Sequence, residues 1–243
     1  MPLEEIINRQ GIIISAPASG AGKTTVTLGL INAFARKRSV QPFKSGPDYI
    51  DSKFQSVAAD RPSYNLDTWA MSSSDILNMI GMVGPSDICI AEGSMGLFDG
   101  VISKGAGGNG STADLASITN WPVILVVDCA KQAQSVAALI TGFNSFRHDI
   151  TIGGVILNNI SSKRHEALVV SEVSKTKVPI LGVIPRSNEL TIPERHLGLV
   201  QAEDLSDLEQ LIFKLGTLIE ENCDLEAIAC TARKSSPAIP NLQ

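Results

Sequence analysis

An apolar run at residues 11–16 leads directly into Pro17-Ala18-Ser19-Gly20-Ala21-Gly22-Lys23-Thr24-Thr25, and a helix-period segment follows in which Val26, Leu30, Ala33, Phe34 and Lys37 share a face. The pattern is G-x-x-x-x-G-K-[ST] with Pro17 where the first glycine belongs. It demands a strand, a tight turn and a helix start, in that order. Gly20 and Gly22 let the backbone wrap a phosphate with its N–H groups, and the first turn of the helix adds partial positive charge. Lys23 can reach the β- and γ-phosphates of a nucleotide, and the Thr24 hydroxyl can ligate Mg²⁺. Ser19, Gly20, Ala21, Gly22, Lys23, Thr24 and Thr25 are therefore the expected nucleotide-binding residues.

The rest of the chain repeats the same rhythm. Apolar runs bounded by Gly, Pro or Asp occur at 40–44, 87–91, 122–128, 153–157 and 179–184. They are continuously apolar rather than alternating, as in strands covered on both faces. Helix-period segments are expected after Trp69, after Gln132, and over Leu205, Leu208, Ile212, Leu215 and Ile219. Alternation of this kind predicts an α/β fold, a mostly parallel sheet flanked by helices. Two regions break the rhythm. Residues 93–110 hold seven glycines and read as one long loop. Residues 223–243 lose periodicity and read as a tail or the start of a linker.

Two acidic segments follow strands. Lys44-Ser45-Gly46-Pro47-Asp48-Tyr49-Ile50-Asp51 places Lys44, Asp48 and Asp51 at a carboxyl edge of the sheet, where ligands bind in open α/β folds. It also fits an ordinary Gly-Pro-Asp turn with solvated charges. Glu92 ends the strand before Gly93-Ser94-Met95-Gly96-Leu97-Phe98-Asp99-Gly100, in the position of a Walker B acid that completes a Mg²⁺ shell. Asp128 also ends a strand and ranks second for the metal. Asp99, out on the glycine-rich loop, is placed to meet substrate or to lie solvated.

Composition removes several classes. With 20 Lys and Arg against 25 Asp and Glu, the net charge is −5, which does not suit a general nucleic-acid binder. No apolar run is long enough to cross a bilayer, and the start Met1-Pro2-Leu3-Glu4-Glu5 is unlike a signal peptide. Cys89, Cys129, Cys223 and Cys230 have no CxxC spacing and read as free thiols, Cys89 and Cys129 being buried. The expected setting is cytoplasmic.

The segments at 15–25, 43–51 and 92–100, with Ile192-Pro193-Glu194-Arg195-His196-Leu197-Gly198-Leu199, together resemble the cobyrinic acid a,c-diamide synthase family in order and spacing. The resemblance runs roughly to Glu221, and Pro17 is usual in that family. It implies a P-loop NTPase fold of the dethiobiotin synthetase-like type. It also implies a synthetase domain over residues 1–221 that uses ATP and Mg²⁺ to amidate the a- and c-side-chain carboxylates of a corrinoid, cobyrinate or hydrogenobyrinate. Lys23 and Thr24 then bind phosphates and Mg²⁺, and Asp48 and Glu92 are the metal acids. Lys44, Asp48, Asp51 and Asp99 form the catalytic set. Tyr49, Asp51 and Asp99 line the corrinoid and ammonia side, and Asn158 is the adenine-reading amide. The roles of Glu194, Arg195 and His196 stay open, a structural histidine being the simpler reading of His196.

In such enzymes ammonia comes from glutamine through a C-terminal glutaminase domain with a cysteine nucleophile. Neither Cys223 nor Cys230 sits in a nucleophile elbow, so residues 222–243 are expected to lead toward a glutaminase domain or subunit outside this chain. A homodimer is expected by analogy. Amidation of another ring, such as nickel sirohydrochlorin or cobyric acid, would use the same chemistry. Dethiobiotin synthesis fits less well, because Gly-Leu-Phe-Asp-Gly has no place there. A ParA- or MinD-like switch is disfavoured, because Ala18 stands where those ATPases carry a second lysine.

Overall fold

A computed structural model describes residues 9–187 and 205–233. The strands are β1 Gly11–Ser15, β2 Val40–Ser45, β3 Tyr64–Leu66, β4 Ile88–Glu92, β5 Val123–Asp128, β6 Ile152–Ile160 and β7 Ile180–Pro185. They form one sheet in the order β3-β2-β4-β1-β5-β6-β7, and every pairing is parallel. The helices are α1 Lys23–Ala35, α2 Tyr49–Ala59, α3 Ser73–Met82, α4 Thr112–Thr119, α5 Val136–Phe146, α6 Lys163–Val173, α7 Leu205–Asn222 and α8 Leu225–Arg233.

The continuous apolar runs follow from two cores, one on each face of the sheet. Ile12, Ile14, Ile90, Ile124 and Ile156 pack against Leu30 of α1, Phe54 of α2, Leu215 of α7 and Ile228 of α8. Ile13, Phe43, Leu125 and Leu157 turn the other way, onto Ile76 of α3, Leu115 of α4, Ile140 of α5 and Val169 of α6. Side-chain caps start four helices. Asp48, Ser72, Ser111 and Ser162 accept hydrogen bonds from first-turn N–H groups, and Ser72 forms a full capping box with Asp75.

The six expected strands are present, within a residue or so of their predicted ends except that β6 begins one residue earlier and continues to Ile160. The expected helices appear as α1, α3, α5 and α7, and residues 93–110 carry no regular element. The structure adds elements that the sequence pattern did not show and decides one open alternative. The three-residue β3 was too short to show a pattern. The Gly-Pro-Asp turn is the start of α2, because Oδ1 of Asp48 accepts the N–H groups of Ile50 (2.9 Å) and Asp51 (3.1 Å). Helices α4 and α6 went unread. The loss of periodicity after Cys223 does not hold for α8, whose Ile228, Ala229 and Ala232 are buried in the core. Residues 192–199 and 234–243 lie outside the described residues.

Candidate functional site

Strands β2, β4 and β1 are neighbours, so their carboxyl ends bring three segments to one place. The register sets Lys44 and Ile14 on either side of Glu92. Glu92 is fully buried. Its Oε1 accepts a hydrogen bond from the Thr24 hydroxyl at 2.7 Å and lies 3.2 Å from Lys44 Nζ and 3.5 Å from Lys23 Nζ. Its Oε2 accepts from Gln55 Nε2 at 2.8 Å. Burial works against the charge, but Lys44, Lys23 and the donors on Thr24 and Gln55 outweigh it and hold the carboxyl below its usual range.

Lys44 is nearly as buried, and it reaches Asp51 Oδ2 at 2.5 Å and Asp48 Oδ2 at 3.8 Å. Burial opposes the ammonium charge, yet the Glu92, Asp51 and Asp48 carboxylates keep its pKa above the ordinary value. Burial and the Glu92 charge push the Asp51 carboxyl up, against the pull of Lys44. Asp51 and Gln55 are one helical turn apart on α2, so one helix face supplies both groups. Tyr49, the first residue of α2 and next to Asp48, is 78% exposed.

The phosphate loop has the expected shape. Gly20 and Gly22 have φ of +79° and +85°, and a Cβ at Gly20 would meet open space. Gly22 caps α1 without a side-chain hydrogen bond, and the first turn of α1 carries no acid. Its N–H groups are thus left for an anion. The Ser19 hydroxyl lies 3.6 Å from Met95 Sδ, and Thr25 borders a cleft of about 190 Å³ with Ile184, Pro185, Leu215 and Leu218. Asn158 also lines that cleft, but its Nδ2 donates to the Ala21 carbonyl at 2.9 Å.

Asp99 stands apart from the lysine–carboxylate cluster. Its side chain is exposed, and its Oδ2 accepts the Gly96 N–H at 2.8 Å and so closes its own turn. That turn abuts the phosphate loop, since Leu97 N–H donates to Ala16 O at 2.8 Å. The glycine-rich loop continues on backbone bonds, with Ala106 N–H to Trp69 O (2.8 Å), Gly107 N–H to Thr68 O (2.9 Å) and Val101 N–H to Asn109 O (2.9 Å). Asp128 is drawn elsewhere: Oδ1 accepts from Ala130 N (3.0 Å) and Asn159 Nδ2 (2.8 Å). Glu194, Arg195 and His196 lie outside the described residues.

Reading the sequence missed Gln55. Its signal was available, an apolar-periodic segment with Asp48 as cap, but the Gly-Pro preceding it suggested a turn. Among the described residues no group of three or more His, Cys, Asp or Glu could enclose a metal. A hydroxyl and a carboxylate 2.7 Å apart beside a phosphate loop are nonetheless a donor set that suits Mg²⁺, which takes few protein oxygens and fills its shell with phosphate and water. No described helix is long and apolar enough to cross a membrane.

The sequence profile described as the CobQ/CobB/MinD/ParA nucleotide binding domain matches residues 12–200. The hydrogenobyrinate a,c-diamide synthase of Rhodobacter capsulatus is 46% identical over 224 residues, covering 92% of this chain and 52% of that protein. The enzyme of the same name from Brucella ovis is 47% identical over 222 residues, covering 90% and 50%. The chain thus spans about half the length of the curated relatives it matches. Among solved structures, the MinC:MinD cell division complex of Aquifex aeolicus aligns with TM-score 0.54 and 17% identity over 96% of this chain and 98% of that one. A plasmid partition protein from Borrelia burgdorferi bound to AMPPNP aligns with TM-score 0.51 and 15% identity over 86% and 98%. At such identities the likeness carries the fold alone, that of the P-loop NTPases.

Proposed function

Because the chain belongs to the CobQ/CobB/MinD/ParA nucleotide-binding domain family, we propose that it is the synthetase half of a cobyrinate or hydrogenobyrinate a,c-diamide synthase, converting two ring-side-chain carboxylates to amides with ATP as the activating reagent. The observation that carries this reading is the buried chain Lys23–Glu92–Lys44–Asp51, which runs from the phosphate loop to the mouth of the site. The relatives supply the substrate class.

A carboxylate resists attack by ammonia because it is anionic and has no good leaving group. Moving the γ-phosphoryl group onto a carboxylate oxygen breaks the bond to ADP and gives an acyl phosphate. Ammonia then adds to the acyl carbon, sheds a proton and expels phosphate, leaving the amide. The protein's part is positioning and charge neutralisation. The loop N–H groups and Lys23 grip the phosphates. Lys44 neutralises charge between the γ-phosphate and the incoming carboxylate, and Asp51 keeps its ammonium aimed. Thr24 and Glu92, with Oδ2 of Asp48, would hold Mg²⁺, which when bound offsets phosphate charge. The adenine would sit in the cleft walled by Ile184, Pro185, Leu215 and Leu218. Tyr49, Asp51 and Asp99 face the corrinoid and ammonia side. Ammonia from a glutaminase domain or subunit, a homodimer and a cytoplasmic setting belong to the same reading.

The test is a mass-spectrometric amidation assay with Mg-ATP, hydrogenobyrinate or cobyrinate, and either ammonium or glutamine. Diamide from ammonium but not from glutamine is expected. ATP binding with no amide from either nitrogen source would overturn the reading. Nickel sirohydrochlorin in a parallel tube separates the ring alternatives.

A further inference from the structure

We propose that Asn158 is a positioning residue for the phosphate loop, and that its amide N–H, aimed by an irregularity at the end of β6, fixes the Ala21 carbonyl and thereby the direction of the Gly22 N–H. The inference rests on the nucleotide-binding reading above and goes beyond it. It gives the side chain a task independent of the base.

Four observations converge. The Asn158 side chain is buried, and its Nδ2 donates to Ala21 O at 2.9 Å across 137 residues of sequence. Only the nitrogen end of the amide can face a carbonyl, so the orientation is chemically determined. The pairing of β6 with β7 slips between Leu157 and Ile160, and Asn159 within that slip has φ of +60°. Such bulges re-aim a side chain near functional sites. The turned backbone is itself tied down, since Asn159 Nδ2 donates to Asp128 Oδ1 at 2.8 Å and Cys129 N–H donates to Asn158 O at 2.9 Å. Finally, a Cβ at Gly22 would lie 2.3 Å from Asn158 Nδ2. The second loop glycine therefore makes room for this amide as well as supplying a positive φ.

The consequence is geometric. In a trans peptide the C=O and the next N–H point in opposite directions. Fixing the Ala21 carbonyl on Asn158 turns the Gly22 N–H the other way. Without that restraint the peptide unit can rotate and present a carbonyl oxygen to an anion, which repels it. The clamp thus bears on the grip for phosphate, whatever base is attached.

The experiment uses calorimetric binding of ATP and of inorganic tripolyphosphate to the wild type, Asn158→Asp and Asn158→Ala. Asn158→Asp is isosteric, keeps the acceptor oxygen and loses the donor. Thermal unfolding of each variant checks that it folds, and Asn158→Ser, which restores a shorter donor, is a further control. We expect Asn158→Asp and Asn158→Ala to weaken tripolyphosphate and ATP alike, by about 5- to 30-fold, the loss of one buried hydrogen bond. Weaker ATP binding with unchanged tripolyphosphate binding would overturn the proposal and make Asn158 a base-reading residue. Wild-type binding of ATP without tripolyphosphate would also overturn it, because the loop would then have no grip of its own. A wild type that binds neither would overturn the nucleotide reading itself, and the clamp with it.

Discussion

Gln55 Nε2 donates to Glu92 Oε2 at 2.8 Å, so a residue of α2 holds the acid that ends β4. The Gln55 carbonyl end is occupied too, accepting from the Ser63 hydroxyl at 2.8 Å, which leaves the amide a single orientation. Gln55→Leu should strip the fully buried Glu92 of a partner. We expect a loss of about 1–3 kcal/mol in unfolding free energy, measured by urea denaturation, together with weaker Mg²⁺-dependent ATP turnover. Wild-type stability in that variant would mean that water replaces the amide.

Lys44 is shared by Asp51 and Glu92, and its removal leaves Asp51 without its ion-pair partner and Glu92 with Lys23 alone. Lys44→Met should cost about 3–5 kcal/mol at neutral pH. Asp51 is pushed above its ordinary 3.8, so the folded variant takes up a proton there before the unfolded chain does. The loss should therefore shrink as pH falls toward the carboxylate range. Adding Asp51→Asn should restore part of it, and a double-mutant cycle reads the size of the pair. An additive cycle would rule out the shared-cation account.

Lys23→Ala removes the loop's cation while Lys44 still serves Glu92. Stability should move little, whereas ATP affinity should fall by at least about tenfold, the scale of one charged hydrogen bond. Calorimetry with ATP decides this, and unchanged affinity would refute the phosphate-loop assignment.

Burial pushes the Cys89 thiol up to about 11 and the Cys129 and Cys223 thiols up to about 12, from an ordinary 9.0, with the Asp128 charge adding to the effect at Cys129. Cys230 is exposed. Maleimide at neutral pH should label Cys230 first, the half-buried Cys223 more slowly, and Cys89 and Cys129 only on unfolding. Because the unfolded chain ionises these thiols near 9 and the folded chain does not, their stabilisation is complete below that pH and drains as pH rises through 11 to 12. Equal labelling of all four thiols in the native protein would contradict the packing.

Ile228 in α8 has no exposed surface. Ile228→Ala should cost about 2–5 kcal/mol in unfolding free energy, a penalty that a residue in a loose tail would not show.

These elements also mark what the sequence could tell. Gly20, Gly22, Lys23 and Thr24 were legible because the phosphate loop is local: its strand, turn and helix are contiguous. Glu92 was legible as an acid at a strand end. Lys44, Asp48 and Asp51 could be placed at one sheet edge, but Gln55 and the contacts of Lys44 with Glu92 could not, because they depend on α2, whose start fits a turn equally well in sequence, and on the adjacency of β2 and β4, which single-chain periodicity does not encode. Asn158 was found at the right strand end, but its reach to Ala21 needs the slip in β6, and no residue type announces a bulge. Helix α8 was missed because its apolar stripe spans barely two turns.

The glycine-rich loop after β4 is fastened through main-chain bonds to Trp69, Thr68 and its own backbone, while Val101 and Ile102 point into solvent. Its conformation is held by those bonds, by Asp99 Oδ2 on the Gly96 N–H, and by Gly105, Gly107 and Gly108, where a Cβ would meet other atoms at less than 3 Å, whereas Val101 and Ile102 take no part in holding it. Substitutions at Val101 and Ile102 should therefore leave the fold intact, while a side chain at Gly105 or Gly107 would force the loop off Trp69 and Met71.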